Sequence, residues 1–253
     1  MEEKKCYMCD KNATSIEHVP PKCLFPTLKD SGKELRNNLI TVPSCDEHNG
    51  QKSSDDEFLM ISLAGIIGNN SIGYQHYNGK IQRALRRSSY KLLDQALLTK
   101  KVYRIEIENN FLDILWGTPD YDRLIKCFEH IAMGIYRHHF DEKFQGKVKP
   151  YLGFLHTNEQ NPAEFKKWML HKAGKELAHC QKYGSNSSVF YYQYTDPDKF
   201  GLYLVKLCFY ENVDVYVAHM PEQAKVPTML AMELMNIGIK TFVHEDGKVF
   251  EFN

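Results

Sequence analysis

The chain has 253 residues, of which 43% are hydrophobic and 25% charged, with 32 basic side chains against 32 acidic ones. That length buries a full core and fits two domains, or one domain with a small metal module, and the composition is that of a soluble globular protein. A net charge of zero excludes a globally basic polyanion binder. The longest apolar stretch, Phe58 to Ile67, is broken by Ser62 and Gly65 and falls far short of the roughly 20 residues that span a bilayer.

The N-terminus, Met1-Glu2-Glu3-Lys4-Lys5, has no apolar core behind it and does not read as a secretory signal. The seven cysteines are neither even in number nor dense, which points away from a disulfide framework and towards a reducing, cytoplasmic setting. Cys6 and Cys9 are separated by two residues, a gap that lets a tight turn aim both thiolates at one tetrahedral ion. On its own this pair could equally be a redox dithiol. Cys45 and His48 repeat the same gap 35 residues further on, so the two half-sites together predict a closed Cys3His site for a structural Zn2+. Cys23, Cys127, Cys180 and Cys208 show no regular spacing and read as small buried apolar residues.

Between the half-sites lies Glu17-His18-Val19-Pro20-Pro21, an extended segment ending in a rigid turn. Neighbouring side chains on a strand face opposite ways, so Glu17 and His18 need not touch. A turn at Asp30-Ser31-Gly32-Lys33 precedes a short β-rich run, Asn38 to Val42, stopped by Pro43. The helix after it starts near Ser44 to Asp46, which gives a ββα order, and a capping box at Ser54-Asp55-Asp56-Glu57 predicts another helix from about Ser54 to Gly65.

These residues resemble the HNH, or ββα-metal, endonuclease family over roughly the first quarter of the chain. The resemblance implies that His18 is the general base and that Glu17 before it binds a catalytic Mg2+ or Mn2+. It makes Asn38 the middle asparagine that orients the base. Many members end the motif with Cys-x-x-Cys followed by His or Asn and then a lysine; here the end reads Cys45-x-x-His48-Asn49, then Lys52. The resemblance therefore implies that His48 replaces the fourth zinc cysteine and that Asn49 is the second ligand of the catalytic ion. In the alternative assignment His48 is the catalytic ligand and Cys23 completes the zinc site, or the zinc site is degraded. The implied activity is hydrolysis of DNA, with RNA not excluded, and a bacterial restriction or anti-phage setting by analogy. The rival reading is a zinc module without catalysis that binds nucleic acid or a protein.

Gly68 to Tyr77 reads as a loop. From Asn78 to Lys101 seven basic residues face one acid, and Ile81, Ala84 and Leu85 recur at helical spacing. Lys80, Arg83, Arg86, Arg87 and Lys91, with Lys52, are candidate contacts to nucleic-acid phosphates; a solvated helix face is the equal alternative. The organisation expected is therefore a nuclease module over 1–65, a helical connector with a basic face over 66–100, and an α+β domain with a mainly antiparallel sheet over 101–253. In that last part a hairpin over 102–107 and 111–116 precedes a helix over 119–139 with the stripe Leu124, Cys127, Phe128, Ile131, Ile135. A strand over 151–155, a helix over 162–181 and a three-strand meander over 189–194, 202–210 and 213–218 follow, and a hairpin over 241–252 turns at Asp246-Gly247. From Val102 onward there are 17 basic and 20 acidic residues, so this part is more suited to a protein partner, a second copy of the chain or regulation than to tracking DNA.

Overall fold

Secondary structure follows the chemistry of the segments closely enough to be read in chain order. The computed structural model describes residues 4–50, 53–89, 91–107, 110–155, 160–224 and 238–253. The fold is mixed α+β, with small antiparallel sheets and a four-stranded antiparallel sheet towards the C-terminus. By contacts the chain divides into two units: residues 1–144 with 184–191 and 209–213, and residues 145–183 with 192–208 and 214–253.

In the first unit, β1 (Ser15–His18) pairs antiparallel with β2 (Thr41–Ser44), and α2 (Asp46–Gly50) follows at once. The expected strand over 38–42 is shifted. Asn38 lies in a turn with φ 52°, and β2 starts at Thr41 and runs through Pro43. Pro43 is tolerated because a two-stranded ribbon has a free edge for a residue with no N–H to donate; its carbonyl accepts from Tyr7 N–H at 3.0 Å. Helix α3 (Ser53–Ala64) forms where the Ser54-Asp55-Asp56-Glu57 pattern predicts one, but it starts a residue earlier, so Ser54 lies inside its first turn, where its Oγ accepts from Arg123 at 2.8 Å.

The expected loop over 68–77 is confined to residues 68–70, and the rest is helical. The Asn70 side chain accepts from Gly73 N–H and caps α4 (Ser71–His76), and a π-helical turn (Tyr77–Ile81) carries on into α5 (Gln82–Arg87). Ser89 at φ 50° breaks the helix before α6 (Lys91–Ala96). Strands β3 (Leu97–Ile107) and β4 (Asn110–Pro119) pair as a long hairpin. Asp120 then caps α7 (Tyr121–Phe140), accepting from Arg123 N–H at 3.0 Å. The stripe of α7 is buried at Leu124, Phe128, Ile131 and Ile135, and Phe128 meets Phe209, which also meets Phe190. Gly134 faces Val19 so closely that an added Cβ would stand 2.8 Å from both Val19 methyls. The helix thus approaches the end of β1 through its one residue without a side chain.

A four-stranded sheet runs β5 (Gly146–Leu152), β8 (Val213–Pro221), β7 (Tyr203–Phe209) and β6 (Phe190–Tyr194) in that spatial order; most of its residues belong to the second unit, and Phe190, Tyr191, Phe209 and Val213 to the first. Helix α8 (Gln160–Leu177) packs on the terminal hairpin of β9 (Thr241–Glu245) and β10 (Lys248–Phe252). Asp246 at φ 50° and Gly247 at φ 73° turn that hairpin, the pattern favoured by a primed two-residue loop. Ala173, Leu177 and Tyr216 form a core cluster there with Leu170 and Leu204.

Candidate functional site

Residues 4–13 form a knuckle closed by a bridge between Lys5 and Asn12. Cys6 N–H donates to the Lys11 carbonyl at 2.9 Å and Ala13 N–H to the Lys4 carbonyl at 2.8 Å, which turns Cys6 and Cys9 to one side. Across from them, the Cys45 carbonyl accepts from the N–H groups of His48 and Asn49 and starts α2. The four ligand atoms lie within 4.8 Å of one another. Cys9 Sγ is 3.8 Å from Cys45 Sγ. His48 Nδ1 is 3.7 Å from Cys6 Sγ, 3.6 Å from Cys9 Sγ and 3.2 Å from Cys45 Sγ.

These distances fit a tetrahedral zinc ion. Metal–sulfur bonds of about 2.3 Å and metal–nitrogen bonds of about 2.05 Å set ligand edges of about 3.8 Å between sulfurs and about 3.5 Å between sulfur and nitrogen. Burial opposes the Cys6 thiolate, yet the backbone N–H groups of Met8, Cys45 and Cys9 hold its pKa below that of an ordinary thiol. Burial and the neighbouring Cys45 and Cys6 sulfurs push Cys9 up, a repulsion that a central cation offsets. Cys23 is not in this group: its thiol donates to the Asp56 carbonyl at 3.2 Å, and burial pushes its pKa up to about 12. His48 therefore stands with the three cysteines.

The other candidates surround this centre unevenly. Ser15 and Glu17 share one face of β1, and Ile16 and His18 the other. On the first face Glu17 is only 7% exposed, and Tyr7 Oη donates to its Oε1 at 3.3 Å. Burial and the Glu17 charge push the Tyr7 phenol far up, so it remains a donor. Asn49 Nδ2 on α2 donates to Ser15 Oγ at 2.9 Å, which brings Asn49 to the Glu17 face of β1. His18, at the end of β1, is half-buried; burial, then the Lys22 charge, lowers its pKa against the opposing pull of Glu17, so it is neutral near pH 7. Asn38 makes no hydrogen bond to His18 among the described residues. It lines a shallow recess of about 220 Å³ with Val19, Pro20, Leu39, Ile40, Ser185 and Asn186, open to solvent.

The basic candidates also separate. Arg83 is paired with Asp30 at 2.5 Å, and that carboxylate is nearly buried. Arg86, Arg87 and Lys91 are exposed and Lys80 is half-buried. Lys52 lies outside the described residues.

Two contributors were not singled out from the sequence. Tyr7 sits between the first two zinc-type cysteines, and its signal was a large aromatic residue inside an otherwise polar knuckle. His130, on α7, sets its ring edge-on to His48 with centroids 6.4 Å apart; helical periodicity alone gave no sign of it. No helix among the described residues is long and apolar enough to cross a membrane. The chain matches no family model, no curated protein and no solved structure.

Proposed function

We propose that the chain is a metal-dependent phosphodiester hydrolase of the HNH type, acting on DNA, with RNA as the alternative polymer. The observation that carries this reading is the β1–β2–α2 unit stapled by Cys6, Cys9, Cys45 and His48. It sets Glu17 and Asn49 against one face of β1 and a neutral His18 at the strand end.

In this reading the zinc set has four protein ligands and no open position, so it holds the fold rather than reacting. Glu17 and Asn49 offer oxygen ligands, which suit a hard cation such as Mg2+ or Mn2+. Such an ion, when bound, offsets the charge that develops on the phosphate. His18 takes a proton from the attacking water, a role open to it because burial keeps its ring neutral. No hydrogen bond joins Asn38 to His18, so the asparagine does not orient the ring; the β1–β2 pairing places His18 opposite Thr41.

A second reading, a zinc module that binds nucleic acid or a protein without cutting, draws on the burial of Glu17 and on the Asn49 amide being bonded to Ser15. Plasmid cleavage with and without Mg2+ or Mn2+, beside His18→Ala, separates the two. Cutting that needs the metal and disappears in a folded, zinc-loaded variant supports the hydrolase; cutting that persists in the variant removes His18 as the base. Retained DNA binding with no cutting by either protein supports the module.

A further inference from the structure

We propose that Tyr7 is a positioning residue for the candidate catalytic carboxylate, fixing Glu17 in the rotamer that binds the divalent cation. The inference rests on the hydrolase reading above. Tyr7 is fully buried, and its backbone N–H donates to the Pro43 carbonyl at 3.0 Å, so the ring is tied to β2 as well as to the knuckle. Its phenol reaches Glu17 Oε1 at 3.3 Å. Glu17 itself is on β1, two residues from Ser15, which accepts from the Asn49 amide. One short path therefore runs from the zinc knuckle through Tyr7 to Glu17, and Ser15 and Asn49 close it on the same strand face.

The physical reason is the freedom of a glutamate. Three torsions separate its carboxylate from the backbone, and ordering them opposes cation binding unless the fold has ordered them beforehand. A buried phenol that donates to one oxygen of the carboxylate holds that oxygen in place before any ion arrives. Partners in the shell around metal ligands are worth about 10–100-fold in metal affinity when removed. Tyr7 also lies between Cys6 and Cys9, so the structural zinc fixes the ring that fixes the carboxylate. The two metals would be coupled through one side chain.

The test uses the full chain loaded with zinc and titrated with Mn2+ by calorimetry, comparing wild type, Tyr7→Phe and Glu17→Ala. Phenylalanine keeps the ring and removes only the hydroxyl. Tyr7→Phe is expected to retain one zinc per chain and its melting temperature, and to bind Mn2+ about 10-fold more weakly. The Mn2+ concentration for half-maximal cleavage should rise by the same factor, while the rate at saturating Mn2+ is kept. Glu17→Ala should lose Mn2+ binding. Unchanged Mn2+ affinity in Tyr7→Phe would overturn the proposal while leaving the hydrolase reading intact. Loss of zinc together with Mn2+ would also overturn it, by making the hydroxyl a prop of the knuckle. A wild-type protein that neither binds Mn2+ nor cuts would overturn the hydrolase reading and this inference with it.

Discussion

Acid should destabilise this protein through the buried imidazole of His76. His76, at the end of α4, has no exposed surface, and its Nδ1 lies 3.1 Å from Tyr210 Oη. Tyr210 donates its own hydroxyl hydrogen to the Leu24 carbonyl at 2.7 Å, so the phenol oxygen must accept from Nδ1–H. That fixes a neutral tautomer whose Nε2 is buried with no hydrogen-bond partner. Burial, helped by the Lys80 and Arg36 charges and opposed by Asp30 and the Leu24 carbonyl, lowers the pKa to about 4. An ordinary histidine titrates near 6.5, so between these values the unfolded chain binds a proton that the folded chain refuses. Stability from this group is complete above pH ~6.5 and is lost as pH falls towards 4. At about 1.36 kcal/mol per pH unit, the loss is about 3 kcal/mol.

Urea unfolding of wild type and His76→Gln, from neutral pH to about pH 4, measures it, since glutamine can still donate to Tyr210 but does not titrate. The stability difference between the two proteins should move by about 3 kcal/mol in favour of the variant as pH falls. The imidazole resonance should itself titrate near 4. A difference that stays flat with pH, or a ring that titrates near 6.5, would refute the reasoning.

On the proposal that the Cys3His group holds zinc, metal analysis should read one zinc per chain, and its removal with a chelator, or Cys9→Ala, should unfold the knuckle and lower the melting temperature sharply, because structural zinc sites supply about 10 kcal/mol or more of binding energy. Gly134→Ala places a Cβ against the stiff Val19 methyls, and overpacking of this kind costs about 1–3 kcal/mol. Part of that is offset by alanine's helix propensity, and Val19→Ala in the same chain should relieve it; strictly additive effects in a double-mutant cycle would show that the two sites do not touch. Arg83→Ala strands the nearly buried Asp30 and should cost about 1–3 kcal/mol of stability without changing the salt dependence of DNA binding. Arg86→Ala and Arg87→Ala should do the reverse, each lowering the slope of log affinity against log salt by up to about 0.9. Equal slopes in all three variants would remove α5 from the nucleic-acid surface.

The Cys3His group was legible because a tetrahedral ion imposes a local rule on residues that could hold it: two residues between ligands, twice. Helix α3 was legible to within a residue of its start from the polar Ser54–Glu57 run before an apolar stretch, the last hairpin from Asp246-Gly247, and α7 from a 20-residue amphipathic stripe. Helix α4 was missed because six residues carry too little periodicity to outweigh the glycines and asparagines around them, although Asn70 is the residue that starts it. Pro43 reads as a stop in the local sequence because its effect depends on whether the strand has a free edge, which no single segment specifies. The Tyr7–Glu17 bond and the His76–Tyr210 bond span 10 and 134 residues, and nothing in either local sequence fixes its partner. Side-chain pairing across the fold, rather than element type, is where the reading from sequence ran out.

The unit that holds the metal centre is not one stretch of chain. Its core takes Phe190 and Tyr191 from residues 184–191 and Phe209 and Tyr210 from residues 209–213. A gene fragment ending at Phe144 would thus encode the whole candidate site yet lack four aromatic rings of its own interior. Such a piece could not be passed between proteins as a cassette, and a premature stop anywhere before residue 213 should leave this unit unable to complete its core.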